Sequence, residues 1–391
     1  MRGSRLRTNL ASAALAIGCA LALPDIATAG MSDPQSPLRA AARPQENAIR
    51  LNEIQVIGTH NSYHAGISPN EAKLWQAKDP TSYAALDYHH PALATQLTAG
   101  VRQLELDIFA DTQGGLYAHP AGPRLAAKAG LTADPEFDPG HIMDRPGFKV
   151  MHVQDLDYRS VCQPLVACLQ EVRTWSQAHP NHVPVFILLE TKQKPLQLGF
   201  PSPQPEQFTP AVFDALDAEI LSVFPRREIV TPDEVRGQHA TLVAAIRDRG
   251  WPTLDASRGK VVFLLDQRSM EAIYLDGHPS LAGRVIFTNA EPGSPDAAFT
   301  EQNESPPEQI TALVREGYLI RTRTDENTTE ARNNDTRRRD AVIPSGAQIL
   351  STDYPASEPA ASGFVVGLPG KVVARCNPVL RPEGCPNTLL E

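Results

Sequence analysis

Beyond its first 29 residues the chain has no apolar run long enough to cross a bilayer, which takes about 20 residues in a helix. A helical membrane-spanning protein is thereby excluded. Positive charge is also short: 36 Lys and Arg stand against 45 Asp and Glu, a formal charge of −9. That deficit argues against nucleic acid and against simple electrostatic docking on anionic lipid, since both need a basic surface. Chemistry on a phosphate would have to draw on a metal or on local basic groups. Cysteine is scarce, five in 391 residues, and none has the His or Cys company of a zinc site.

What is present begins with an export signal. Arg2, Arg5 and Arg7 precede an apolar stretch from Leu10 to Leu23, and Ala27-Thr28-Ala29 offers a small-residue cleavage site. This is the pattern of a signal peptide over residues 1–29. Its removal takes away three Arg and one Asp and moves the formal charge from −9 to −11. The mature protein is expected to be secreted or periplasmic. Cys19 leaves with the signal, and the even number that remains favours disulfides in an exported chain. Of the three connectivities, local pairing of Cys162 with Cys168 and of Cys376 with Cys385 is the most economical. Residues 30–48 are polar and Pro-rich and read as a linker. Residues 49–391 read as one large domain.

Within that domain, eight short β-branched runs recur: Ile54–Gly58, Gln103–Phe109, Phe148–His152, Val185–Leu189, Lys260–Leu265, Arg284–Thr288, Tyr318–Thr322 and Ala347–Thr352. Amphipathic stretches such as Leu165–His179, Pro210–Phe224, Pro307–Glu316 and Asp335–Pro344 lie between several of them. Eight strands alternating with helices argue for a (β/α)8 TIM barrel, whose strand ends converge at one mouth. Ala65–Tyr88, Asp111–Pro146 and the Pro-rich Lys194–Thr209 look inserted, and long loops at a barrel mouth shape substrate sites.

The chemistry-bearing residues sit late in these strands. His60 and Asn61 follow the first, Glu105 and Asp107 lie two apart in the second, His152 closes the third and Glu190 ends the fourth. Side chains two apart in a strand share a face. Glu105 and Asp107 therefore point one way while Leu104, Leu106 and Ile108 point the other. Two carboxylates turned toward a core need a cation between them; the bland alternative is a half-exposed strand with its polar face in water. Asn61, Glu105, Asp107 and Glu190 offer oxygen ligands only, a set that suits Ca²⁺ better than zinc. Two nearby histidines fit general acid–base work at neutral pH. Lys192 shares a face with Glu190 and, like Arg321, is a candidate phosphate contact. His64, His89 and His90, in the first long loop, are expected at the surface, and Asp353 faces the mouth without an assigned role.

Gly58-Thr-His60-Asn61-Ser-Tyr, Leu104-Glu105-Leu-Asp107, the strand ending in His152 and the strand ending in Glu190 resemble the catalytic region of the Ca²⁺-dependent phosphatidylinositol-specific phospholipase C family. The likeness is to its bacterial secreted phospholipase C1-like branch, of the PLC-like phosphodiesterase barrel type. Arg321-Thr-Arg-Thr-Asp-Glu-Asn-Thr and Ser351-Thr-Asp-Tyr-Pro resemble closing segments of that branch. The resemblance implies that His60 and His152 are the catalytic pair and that Asn61, Glu105, Asp107 and Glu190 hold Ca²⁺. It also implies that His60 hydrogen-bonds the phosphoryl oxygen, that His152 protonates the departing glycerol oxygen, and that a carboxylate such as Glu105 takes the 2-hydroxyl proton. The chain departs from eukaryotic relatives in one respect. There the second histidine closely follows the acidic pair, a place taken here by His119, and His152 comes more than thirty residues further on. His152 is favoured because Phe148–His152 has the pattern of a strand, whereas His119 precedes Pro120 in a Gly- and Ala-rich loop.

The expectation is thus an exported, monomeric, Ca²⁺-dependent phosphodiesterase that meets a phospholipid at a membrane surface, with Trp75 a candidate for an apolar rim. The products would be diacylglycerol and inositol phosphate, by way of a cyclic phosphate. One rival is a glycerophosphodiester phosphodiesterase, which shares the barrel and the acidic pair but usually opens with His-Arg. Another is a catalytically silent lipid- or carbohydrate-binding barrel that keeps Ca²⁺ for stability.

Overall fold

Hydrophobic runs such as Val185-Phe-Ile-Leu-Leu have no polar face at all, as strands covered by helices on one side and by barrel contents on the other require. In the computed structural model, which describes residues 49–385 and 390–391, they form the wall of a nearly closed barrel. The expected signal peptide and linker lie outside the described residues. Among the described residues ten strands share one sheet: β1 (Ile54–Thr59), β2 (Gln103–Phe109), β3 (Lys149–Val150), β4 (Val185–Thr191), β5 (Val261–Leu265), β6 (Ile286–Thr288), β7 (Phe299–Glu301), β8 (Leu319–Arg323), β9 (Ile349–Thr352) and β10 (Ala374–Cys376). Eight are joined in parallel in the order β6-β5-β4-β2-β1-β9-β8-β7. A single bridge, Asn289 to Phe299, links β6 to β7 and brings the ends together.

Two assignments differ from the sequence reading. Phe148–His152 is not a wall strand: only Lys149 and Val150 pair, and they run antiparallel to Phe109 and Ile108 of β2. The eighth wall strand is β7, whose sequence Phe-Thr-Glu is too short and polar to show a strand pattern. The expected count of eight holds with one member exchanged.

That exchange shapes the mouth. β1 and β2 share one residue pair, Gly58 with Gln103. Below it the edge of β1 is taken by antiparallel β10; above it the edge of β2 is taken by Ser62, whose N–H donates to the Glu105 carbonyl at 3.0 Å, and by Met151, whose N–H donates to the Asp107 carbonyl at 3.2 Å. The wall opens between β1 and β2, and residues 60–64 and 149–158 enter there.

Helices cover the outside. Leu165–Ala178 buries Leu165, Cys168, Leu169, Val172 and Trp175, an i, i+3, i+4, i+7 stripe,. Pro210–Val223 starts with Pro at its first position and is capped by Thr209, whose side chain accepts from Val212 N–H,. The inserted loops are partly helical, at Pro69–Lys78, Pro80–Ala85 and Ala121–Lys128. Residues 194–209 carry no helix or strand, as their prolines suggest. Cys162 is bridged to Cys168 and Cys376 to Cys385. Among the described residues no helix is long and apolar enough to cross a membrane.

The narrow β1–β2 junction makes a stability prediction. A Cβ on Gly58 would stand 2.0 Å from Gln103 Oε1 and 2.7 Å from its Cβ. The second atom is fixed to the backbone, so the strands must part. Gly58→Ala is expected to lower the unfolding free energy by about 1–3 kcal/mol, read as a lower urea midpoint at unchanged slope.

Candidate active site

Glu105 and Asp107 have no exposed side-chain surface, which disposes of the half-exposed strand. Register puts Asp107 of β2 beside Glu190 of β4, and oxygens of Glu105, Asp107 and Glu190 all lie within 4.8 Å of one another. Two cations already touch them. Lys192 Nζ is 2.8 Å from Asp107 Oδ2 and 2.7 Å from Glu190 Oε1. Arg321, fully buried on β8, donates from Nη2 to Glu105 Oε2 and, at 3.0 Å, to Ser351 Oγ. Its Nη1 donates to Asn303 Oδ1 at 3.1 Å and lies 3.5 Å from Glu301 Oε2.

Burial, reinforced by the Glu190 and Glu105 charges and opposed by Lys192, pushes Asp107 well above the usual carboxylate range. Burial also pushes Glu190 up, but Lys192 outweighs it and the carboxyl sits below its ordinary value. Across the mouth, burial and then the charges of Glu301, Glu190 and Glu105 raise Asp266 well above normal.

The oxygens fit a hard cation. Asn61 Oδ1 and Glu105 Oε1 are buried without a hydrogen-bond partner, and neither Asp107 oxygen accepts a hydrogen bond of good geometry. Oxygens on opposite sides of a Ca²⁺ ion, each at about 2.3–2.6 Å, lie about 4.6–5.2 Å apart, close to the spread of this triad. Asn61 stands where the chain turns directly after β1. Asn61 takes a left-handed φ of 44°, which Asn tolerates better than most residues, and its Nδ2 donates to Tyr88 Oη at 2.9 Å.

Both histidines are anchored through Nδ1 on a buried aspartate. His60 Nδ1 is 2.8 Å from Asp353 Oδ1, and its Nε2 lies 3.6 Å from Glu105 Oε1. His152 Nδ1 is 2.8 Å from Asp157 Oδ2. Burial, followed by the charge of Arg323, holds the His60 imidazole well below its ordinary value, against the pull of Glu105. Burial lifts the Asp353 carboxyl to about 6, against His90 and Arg323. His152 reaches the mouth although its segment is not a wall strand, because β3 lies along the free edge of β2. His119 is exposed in the long second loop.

The expectation for the first-loop histidines needs correcting. His89 is exposed, but His64 and His90 are buried, because the loop folds back over the mouth and His90 N–H donates to the His64 carbonyl at 2.8 Å. His64 Nε2 sits 2.8 Å from Asp157 Oδ1, so two histidines clasp one carboxylate. Burial would lower His64, yet Asp157 more than compensates and leaves it raised. His90 Nε2 donates to the His60 carbonyl at 3.0 Å while its Nδ1 meets Glu358 at 2.7 Å.

Asp157, Tyr88, Asp266 and Arg323 went unnoticed in the sequence. Only Arg323 left a signal: in Arg321-Thr-Arg323 the two guanidinium groups share a face of β8, one fully buried and the other one-fifth exposed at the rim. Beside the mouth, His152, Glu190, Lys192, Gln193 and Gln267 line a cleft of about 290 Å³. Farther out, the half-buried Trp75 joins Leu74, Leu125, Leu156, Leu198 and Phe200 around an apolar cleft of about 240 Å³.

Taken together, a parallel eight-stranded barrel with an acidic, histidine-flanked mouth defines the class of the protein. Residues 49–378 match the family described as phosphoinositide phospholipase C, Ca²⁺-dependent, and the chain belongs to that enzyme family. A calcium-dependent phosphoinositol-specific phospholipase C from a Gram-negative Pseudomonas species, solved in apo form as a myo-inositol complex, is similar in structure. It is 16% identical with a TM-score of 0.52, covering 85% of this chain and 97% of that one. A Ca²⁺-dependent phosphatidylinositol-specific phospholipase C from Streptomyces antibioticus is 19% identical with a TM-score of 0.47, covering 78% and 95%. At its identity the likeness to the Pseudomonas enzyme speaks for the fold alone. No curated protein matches the sequence.

Proposed function

We propose that the chain cleaves phosphatidylinositol by the phospholipase C route as an exported enzyme, with His60 and His152 as its catalytic pair and Asn61, Glu105, Asp107 and Glu190 as its calcium ligands. The observation that carries this reading is the pairing of an oxygen triad within 4.8 Å with two imidazoles, each tied through Nδ1 to a buried aspartate. A binding protein has no use for two such dyads. Bound Ca²⁺ would acidify the inositol 2-hydroxyl and neutralise charge on the phosphate in the transition state.

The protein's own groups do the rest. With Nδ1–H donated to Asp353, His60 carries its lone pair on Nε2 and is set to accept the 2-hydroxyl proton. This favours a base role over the donor role that the family resemblance implied, and it frees Glu105, already held by Arg321, from that task. Asp157 fixes the His152 ring with Nε2 turned outward. His152 then protonates the departing glycerol oxygen, and afterwards takes a proton from the water that opens the cyclic phosphate. Arg323, at the rim, adds positive charge for the phosphate. Arg321 serves from below by orienting Glu105, and the apolar cleft beside Trp75 offers a surface for lipid.

The test compares substrates and chelation. Turnover of phosphatidylinositol vesicles is expected, falling to background in EGTA and returning with Ca²⁺. Turnover of glycerophosphocholine without phosphatidylinositol would instead select the glycerophosphodiesterase reading.

A further inference from the structure

We infer that Lys192 is the counter-ion calcium must displace: its ammonium holds the seat between Asp107 and Glu190 until the metal enters, and this competition sets the affinity of the site. The inference rests on the calcium reading above and goes beyond it to how the site is regulated.

Lys192 Nζ lies 2.8 Å from Asp107 Oδ2 and 2.7 Å from Glu190 Oε1. Both carboxylates belong to the triad proposed to ligate the metal. An ammonium and a divalent ion cannot both sit at contact distance from the same oxygens in a low-dielectric pocket, because their mutual repulsion there is large. The charges point the same way. Ionised, as metal ligands must be, Glu105, Asp107 and Glu190 carry three negative charges, and Arg321 on Glu105 cancels one. The remaining two match one Ca²⁺ ion, or are half-cancelled by Lys192. A buried cluster of this charge cannot stand without a cation, and Lys192 fills that need in the metal-free protein.

The two cations differ in their freedom to leave. Arg321 has no exposed side-chain surface and is also held by Asn303 and Ser351. Lys192 is one-fifth exposed, stands just past the end of β4, and borders the cleft of about 290 Å³ lined by His152, Gln193 and Gln267. Its long stem can swing the ammonium into that cleft without disturbing β4. There it stays at the rim, on the side from which a phosphate would arrive.

Calorimetric titration of Ca²⁺ into the full mature chain at pH 8, without substrate, tests this. Lys192→Met is expected to bind Ca²⁺ about tenfold more tightly than wild type, as for a seat otherwise open about one time in ten. Its metal-free melting temperature should fall and its rise on adding Ca²⁺ should grow. Lys192→Gln, which keeps donors for the carboxylates, is expected to shift affinity in the same direction and guards against misfolding of the Met variant. In wild type, acetic anhydride labelling of Lys192, followed by peptide mass spectrometry, should be slow in EGTA and faster in Ca²⁺. Equal or weaker calcium binding by both variants, with wild type binding normally, would overturn the inference alone. Failure of wild type and both variants to bind Ca²⁺ would overturn the calcium reading and this inference with it.

Discussion

His60→Ala is expected to lower kcat on phosphatidylinositol by about 10²–10⁴-fold while calcium affinity and melting temperature stay near wild type. The expectation follows from what the ring touches. Its polar contacts are Asp353 at 2.8 Å, Tyr88 Oη at 3.4 Å and Glu105 at 3.6 Å, and beyond them it meets the Tyr88 ring, with centroids 6.2 Å apart. It is 18% exposed, facing the mouth, so its removal opens no cavity in the apolar core. Asp353 loses its partner, but burial already lifts its carboxyl to about 6, and taking up a proton relieves the charge at small cost. Glu105 stays fixed by Arg321, so the proposed metal ligands keep their places. Three measurements on one variant (steady-state kinetics, calcium calorimetry and a thermal melt) separate a reacting group from a structural one. Retention of most activity would remove His60 from the mechanism.

The barrel was legible because its signal is local. Runs such as Val185-Phe-Ile-Leu-Leu and Val261-Val-Phe-Leu-Leu announce buried strands by themselves, and seven of the eight wall strands were found this way. β7 escaped because three residues, two of them polar, carry no period. Phe148–His152 misled for the opposite reason: its apolar residues are buried, but against the free edge of β2 rather than in the wall, and local sequence does not encode which neighbour a strand meets. The same limit governs the site. Glu105 and Asp107 were readable from the alternation of one strand, and Glu190 and His60 from their positions at strand ends. Asp157 was not: His152 stands only five residues before it, but the two meet across a turn that carries no strand or helix period, and its other partner, His64, lies 93 residues away. His64 and His90 are expected at the surface only from their place in a long loop. Its own hydrogen bonds turn it back over the mouth.

That hidden aspartate sets the second large effect. Asp157→Asn is expected to reduce kcat by about 10²–10⁴-fold, leave calcium affinity unchanged and, unlike His60→Ala, destabilise the fold. Asp157 receives His152 Nδ1 at 2.8 Å and His64 Nε2 at 2.8 and 2.9 Å. Without the carboxylate the His152 ring loses the tautomer and the orientation that aim Nε2 at the substrate. His64, fully buried, loses the carboxylate that raises its value in the fold. A stranded permanent charge would cost about 3–5 kcal/mol. An imidazole can shed its proton, so the cost near pH 8 is expected to be about 1–3 kcal/mol, that of an impaired buried hydrogen bond. The sign with pH follows from His64, whose value in the fold is raised above 6.5 by Asp157. Stability from such a group is fully present below its unfolded value and disappears as pH rises through the folded one. Wild type therefore holds this contribution at pH 6 and the variant does not, so the gap in unfolding free energy should widen from pH 8 to pH 6. His152→Ala supplies the contrast, with a comparable loss of turnover but no widening gap, because Asp157 and His64 remain paired. Urea unfolding of the three proteins at the two pH values decides whether Asp157 serves only His152 or also holds the buried histidine behind it.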